Sequence, residues 1–114
     1  MSEELESWNS QTRRGVLELC VLAILEEGPS YGYGIVTRLS ASRLALGEGT
    51  VYPLLRRLRR DGYLEAFWKE SDAGPPRQYY RLSASGQKYL VLLRGEWREL
   101  VKAVKHFVAE EDGK

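Results

Sequence analysis

Between Gly47 and Gly62 the chain reads, at helical spacing, as two stripes. Val51, Leu54, Leu55 and Leu58 follow i, i+3, i+4, i+7 and form a core-facing side. Pro53, Arg56, Arg57 and Arg60 follow the same spacing on the other side, with Arg59 between them. From Thr50 to Arg60 there are four arginines and no acid. A solvated charged face ordinarily interleaves acids with bases at i, i+4, and this one does not. The stretch is therefore expected to lie between an apolar core and a polyanion rather than to be a merely solvated face, because one-sided basic clustering is the footprint of phosphate binding.

The rest of the composition agrees once the ends are separated from the body. The formal net charge of the 114 residues is only +1. Six acids (Glu3, Glu4, Glu6, Glu110, Glu111, Asp112) stand at the two ends with Lys114. Setting these aside leaves 16 bases against 10 acids, a basic body between acidic ends. With 43% hydrophobic residues the chain can supply one core, particularly if a second chain helps to cover it. The single cysteine, Cys20, excludes an internal disulfide and a multi-cysteine zinc site, and its apolar neighbours make it a small packing residue. No signal peptide opens the chain and no apolar run is long enough to span a bilayer, so a cytoplasmic protein is expected.

In chain order, residues 1–11 read as a polar, flexible N-terminal segment, although Leu5 and Trp8 could share a helical face. A helix is expected from about Thr12 to Glu27. Its apolar residues, Val16 to Leu25, cover more than one face, which implies burial on more than one side and a second chain packed there. Gly28-Pro29 stops it. Ser30 is a candidate N-cap for a second helix, Tyr31 to about Ser42. Its Gly32 and Gly34 lack the strand and third glycine of a nucleotide loop. They serve either close packing against the first helix or approach to a phosphate, with the Tyr31 hydroxyl as donor. Ser40 to Gly49 is a connector, and the arginine-striped helix, closed by Asp61-Gly62, follows. The segments 63–69 and 77–82 alternate enough to be strands, separated by a turn-rich loop from Glu70 to Pro76. Three helices followed by a basic hairpin is the winged helix-turn-helix order.

Ser83, or else Ser85, caps a last helix running to about Ala109. Leu90, Leu93, Trp97, Leu100, Val104 and Phe107 repeat at gaps of 3 and 4, a heptad seam. After a completed small domain such a seam pairs with its own copy or with the first helix of a partner chain. The fold class is thus mainly α with a small β-hairpin: a winged helix-turn-helix domain over 12–82, a dimerisation helix over 83–109 and an acidic tail over 110–114. In that frame Thr50, Tyr52 and Arg56 stand where a recognition helix meets base edges. Arg57 and Arg60 are expected on phosphates, and Lys69 and Arg77 on the wing, with Arg77 near the minor groove.

Several stretches in combination resemble the PadR-like transcriptional regulators. They are Leu22-Ala-Ile-Leu25, Gly28-Pro-Ser-Tyr-Gly-Tyr-Gly-Ile35, Gly49-Thr-Val-Tyr-Pro-Leu-Leu-Arg-Arg-Leu58, Asp61-Gly-Tyr-Leu64 and Arg77-Gln-Tyr-Tyr-Arg-Leu-Ser-Ala-Ser-Gly86. The single last helix is similar to the short subgroup of that family. The resemblance implies a homodimeric repressor on a roughly palindromic double-stranded operator, released or remodelled by a small aromatic molecule, with no cofactor. Trp97 resembles the tryptophan that stacks on planar ligands at the dimer interface of drug-sensing members. Gly15, Glu18, Leu19, Leu93 and Val101 would line the same cavity. The position that can carry an acid in the family is Val101 here, which leaves Glu18 as the acid available to a cation. On its own residues, Trp97 either fills the dimer core or flanks a ligand cavity. Gly95, two residues before it, costs a helix about 1 kcal/mol relative to alanine, so room or bending there has a use.

An enzyme is not expected, since the only histidine, His106, has no serine or cysteine near it to activate. The competing reading is a winged-helix protein–protein module that does not bind DNA, because fold alone does not fix function. The acid-free arginine stripe argues for DNA.

Overall fold

A computed structural model of the chain describes residues 3–44 and 47–109. Four helices surround a small sheet: α1 (Glu3–Glu26), β1 (Ser30–Tyr31), α2 (Gly32–Ser40), α3 (Glu48–Arg60), β2 (Leu64–Ser71), β3 (Gly74–Leu82) and α4 (Ala84–Val108). The strands are antiparallel in the order β1-β3-β2. Helices α1, α2 and α3 and one sheet face enclose the core, built from Leu17, Val21, Leu22 and Leu25 of α1, Ile35, Val36 and Leu39 of α2, and Val51, Leu55 and Leu58 of α3. Leu64, Tyr80 and Leu90 close it from the sheet and from α4. The core side expected of α3 is the buried side, with Leu54 half-buried at its margin.

Four expectations need correcting. First, α1 starts at Glu3 and not near Thr12, so a helix occupies most of the segment read as flexible. Glu3, Glu4 and Glu6 stand in its first turn, where carboxylates meet the positive end of the helix dipole, and the Thr12 hydroxyl donates back to the Trp8 carbonyl at 2.8 Å. Second, Ser30 caps nothing. Ser30 and Tyr31 pair with Tyr80 and Tyr79 as a third strand, and α2 begins at Gly32 without a side-chain cap. Third, the hairpin is longer and its turn tighter than expected. The ladder reaches Ser71↔Gly74, and Pro75-Pro76 fall at its irregularity, where missing amides are least harmful. Fourth, Leu90 is not a seam residue, since it is 1% exposed in the domain's own core. The first turns of α4 pack on α1 and β3, so apolar surface that was expected to await a partner is already covered. The acidic tail lies outside the described residues, as do positions 45 and 46 of the connector.

The start of α4 is fastened to the end of α3. Ser83 caps α4, as expected, by accepting from the Gly86 amide at 3.0 Å. Its hydroxyl donates to the Gly62 carbonyl at 2.6 Å and its amide to the Tyr63 carbonyl at 3.1 Å. Gly86 has to be glycine: a Cβ there would stand 2.0 Å from the Tyr63 carbonyl oxygen. Farther along, Arg94 of α4 donates to Glu26 of α1 through both terminal guanidinium nitrogens, Nη1 at 2.9 Å. Among the described residues this is the last side-chain bond from α4 to another element. Beyond it the helix projects, and the chain measures 57 × 34 × 24 Å. Its radius of gyration is 16.6 Å, against about 13 Å for a compact domain near this size.

Candidate nucleic-acid interface

Helix α3 crosses the molecule with Val51, Leu55 and Leu58 in the core and Pro53, Arg56, Arg59 and Arg60 exposed. Arg56 and Arg59, three residues apart, line one basin with Tyr52 of the same helix, Tyr31 of β1, Gly32 and Tyr33 at the start of α2, and Trp68, Arg77, Gln78 and Tyr80 of the hairpin. The basin floor is set by a close approach. A Cβ on Gly32 would stand 2.5 Å from the Tyr52 ring, so glycine lets this tyrosine lie across the start of α2. The close packing expected of Gly32 is therefore real, but against α3 and not α1. Burial first, and then Glu48 and the neighbouring tyrosines, push the Tyr52 phenol above its ordinary range, so it stays protonated and able to donate a hydrogen bond at neutral pH.

A row of aromatic rings on the hairpin fixes the wing cations, with Tyr31 and Arg77 standing where that row meets the basin. Tyr31 and Tyr79 lie 5.6 Å apart and Tyr79 and Phe67 5.8 Å apart, a row of rings running across the sheet. Arg77 stands over Tyr31 at 4.6 Å, Lys69 over Tyr79 at 5.1 Å and Arg81 over Phe67 at 5.1 Å. Arg81 is also paired to Glu65 at 2.9 Å, whereas Arg77 and Lys69 meet at the wing end with no acid bound to them among the described residues. Tyr31, expected as a phosphate donor, is half-buried and serves as the ring under Arg77.

The stripe is not uniform. Arg57 faces back into the protein: its guanidinium binds Glu18 of α1 and lies 3.5 Å from Asp61, so it is not the free phosphate ligand expected. The reason is angular, since Arg57 stands at the margin of the two stripes and finds a carboxylate 39 residues earlier in the chain. Arg60 remains 73% exposed, near Asp61 at 3.5 Å. Thr50 is half-buried in the first turn of α3. Arg59, Tyr33, Trp68 and Gln78 belong to the basin and were not singled out from sequence. Arg59 was legible as a fourth arginine, whereas the other three carry no local periodic signal.

A second concavity lies between α1 and α4, lined by Gly15, Val16, Glu18, Leu19, Tyr89, Leu93, Glu96, Trp97 and Leu100. It brings together Gly15, Glu18, Leu19, Leu93 and Trp97 from the expected set; Val101 is half-buried outside its lining. Glu18 is not free to balance a cation, because one carboxylate oxygen accepts from Arg57 and the other from the Tyr89 hydroxyl. Glu96, the direct neighbour of Trp97, is the acid left in the lining. Of the seam, Leu90 is core, Leu93 is half-buried, and Trp97, Leu100, Val104 and Phe107 are 43%, 56%, 50% and 84% exposed. Among the described residues no cluster of side chains could hold a metal ion, and no helix is long and apolar enough to cross a membrane.

Residues 21–91 match the model of the transcriptional regulator PadR-like family. Among solved structures, the chain is similar to a PadR-like transcription factor from Bacteroides fragilis, at 42% identity over 90% of this chain and 99% of that one, with a TM-score of 0.72. It is similar to a PadR family transcriptional regulator from Eggerthella lenta, at 32% identity over 96% of each chain, with a TM-score of 0.85. A PadR-like transcriptional regulator from Bacillus cereus is 33% identical over 90% of this chain and all of the other, with a TM-score of 0.80.

Proposed function

The chain belongs to the PadR-like family of transcriptional regulators, and from that premise we propose that it acts as a homodimeric, sequence-specific repressor whose hold on DNA a small planar aromatic molecule remodels from the dimer interface. In this reading residues 12–82 with the wing bind the operator, and α4 joins the two copies, assisted by α1. The observation that carries it is the position of Trp97. It stands at the edge of the α1–α4 groove and at the start of the exposed apolar run Leu100, Val104 and Phe107. An apolar stripe of that length on a charged helix needs a cover, and one at heptad spacing fits its own copy. The groove of one chain measures about 240 Å³. That is below the usual range for a small-molecule site, so a site completed by the partner's Trp97 suits a flat ligand better than half of it does.

On DNA, Tyr52, Arg56 and Arg59 face base edges and phosphates in the major groove, while Arg77 and Lys69 reach the backbone or minor groove from the wing. A protein–protein module is separated from this by salt. Operator binding weakens log-linearly with salt, at about −0.9 per phosphate contact. An affinity for duplex DNA that does not change with salt contradicts the DNA reading. The ligand reading is tested with proflavine, a flat tricyclic dye, in the absence of DNA. It quenches wild-type tryptophan emission by stacking, and Trp97→Ala loses about tenfold or more in dye affinity while keeping the dimer. Equal dye affinity in Trp97→Ala removes the stacking site from this groove.

A further inference from the structure

The C-terminal end of α3 is held from three sides. Arg57 is bound by Glu18 of α1, and the other oxygen of that carboxylate accepts from Tyr89 of α4. The Tyr89 ring stacks on Tyr63, in the turn that follows α3, with centroids 4.2 Å apart and planes within 14°. The Tyr63 amide donates to the Leu58 carbonyl of α3 at 2.9 Å, and its own carbonyl takes the Ser83 amide beneath Gly86. Three elements thus converge on one carboxylate whose side chain is only 21% exposed. A carboxylate so placed is stable only while its partners stay, which makes the cluster a joint and not a passing surface contact.

The other end of α3 has no such polar hold; Val51 in the core and Tyr52 against Gly32 secure it by packing alone. Its N-cap, Gly47, makes no side-chain cap bond, and the space around Gly49 is open. About 10 Å of helix separates Arg57 from Thr50, so a rotation of about 5° at Arg57 moves the Thr50 end by about 1 Å. Glu18 and Tyr89 also wall the groove beside Trp97, which puts the joint where groove and recognition helix meet.

We propose that Glu18 is a positioning residue for operator recognition: by holding Arg57 and Tyr89 on one carboxylate it sets the angle of α3 against α1 and α4, and with it the separation of the two recognition helices in the dimer. The inference rests on the dimeric DNA-binding reading above. The residue touches no DNA itself, so its signature is selectivity for half-site spacing and not the strength of any base contact.

The test uses the full chain. Wild-type protein first selects a duplex of about 30 base pairs from a random pool, and matched duplexes with one or two base pairs added or removed at the centre are then titrated. Wild type is expected to lose about tenfold on misspaced duplexes, the equivalent of about 1.4 kcal/mol. Glu18→Gln keeps the shape and removes the charge; Tyr89→Phe keeps the stack on Tyr63 and removes one donor. Both are expected to bind the selected duplex within about threefold of wild type while discriminating spacing by less than about threefold. A purely structural role lowers the melting temperature and weakens binding equally at all spacings with discrimination intact, and that result overturns the proposal. Where Glu18→Gln yields no folded dimer, Tyr89→Phe decides by the same criterion. If wild type selects no duplex, the DNA reading falls and takes this one with it. If wild type discriminates and the variants do too, only the role of Glu18 falls.

Discussion

The two halves of α4 carry one heptad pattern and meet two fates. In the first half Leu90 is 1% exposed and Tyr89 and Arg94 are bonded to α1; in the second, Leu100 is 56% and Phe107 84% exposed, and no side-chain bond leaves the helix for another described element. A repeat of 3 and 4 states which side of a helix is apolar and says nothing of what lies against it. Here the first turns complete the core of their own domain, and we assign the rest to the core of the dimer.

The comparison is broken most forcefully in the second half. Leu100→Glu puts a charge into the proposed seam, and it is expected to abolish operator binding and lower the melting temperature together, because association with a second folded copy adds to apparent stability by mass action. Sedimentation and a DNA titration on the same sample check this; a folded, DNA-competent monomer contradicts it. Leu90→Ala acts in the first half. It opens a cavity in the domain core and is expected to cost about 2–5 kcal/mol by denaturant unfolding, while the variant that still folds keeps the association constant of wild type. Should Leu90→Ala weaken association as strongly as it weakens folding, the division between the halves is wrong.

Away from α4, Arg56→Ala is expected to cost about 1–3 kcal/mol in operator affinity and to relax preference at one base pair, the effect of losing a bidentate contact to guanine. A competition titration with single-base operator variants reads it, and unchanged preference removes Arg56 from the base-reading set. The smallest effect is on titration. The hydrogen bond to Glu18, and then burial, push the Tyr89 phenol up to about 12 from an ordinary value of 10. Since the folded value is the raised one, this bond's contribution to stability is complete below pH 10 and is lost as pH rises through 12. Phenolate absorbance should show one tyrosine titrating near 12 in wild type and nearer 10 in Glu18→Gln.

What local pattern encodes, the sequence showed: the buried and arginine sides of α3, the hairpin, the Ser83 cap and the apolar side of α4 all follow from spacing within a dozen residues. What it hid depends on partners far along the chain. Ser30 and Tyr31 have the residue types of a helix start and become a strand because Tyr79 and Tyr80 offer an open edge. Two residues have no period to detect. Arg57 belongs to the arginine stripe by spacing, and its removal from that stripe depends on Glu18, which no helical pattern links to it. The basin has the same history: Arg56 was legible, but Trp68 and Gln78 join it only through the strand register. Leu90 satisfies the seam and the core equally well on paper, and packing alone decides between them.

Sedimentation equilibrium of the wild-type chain at micromolar concentration, with and without operator duplex, tests the central claim that a second copy covers the far half of α4. The account predicts twice the mass of one chain without DNA, and two chains on each duplex with it. A species with the mass of one chain that binds the duplex one to one contradicts it.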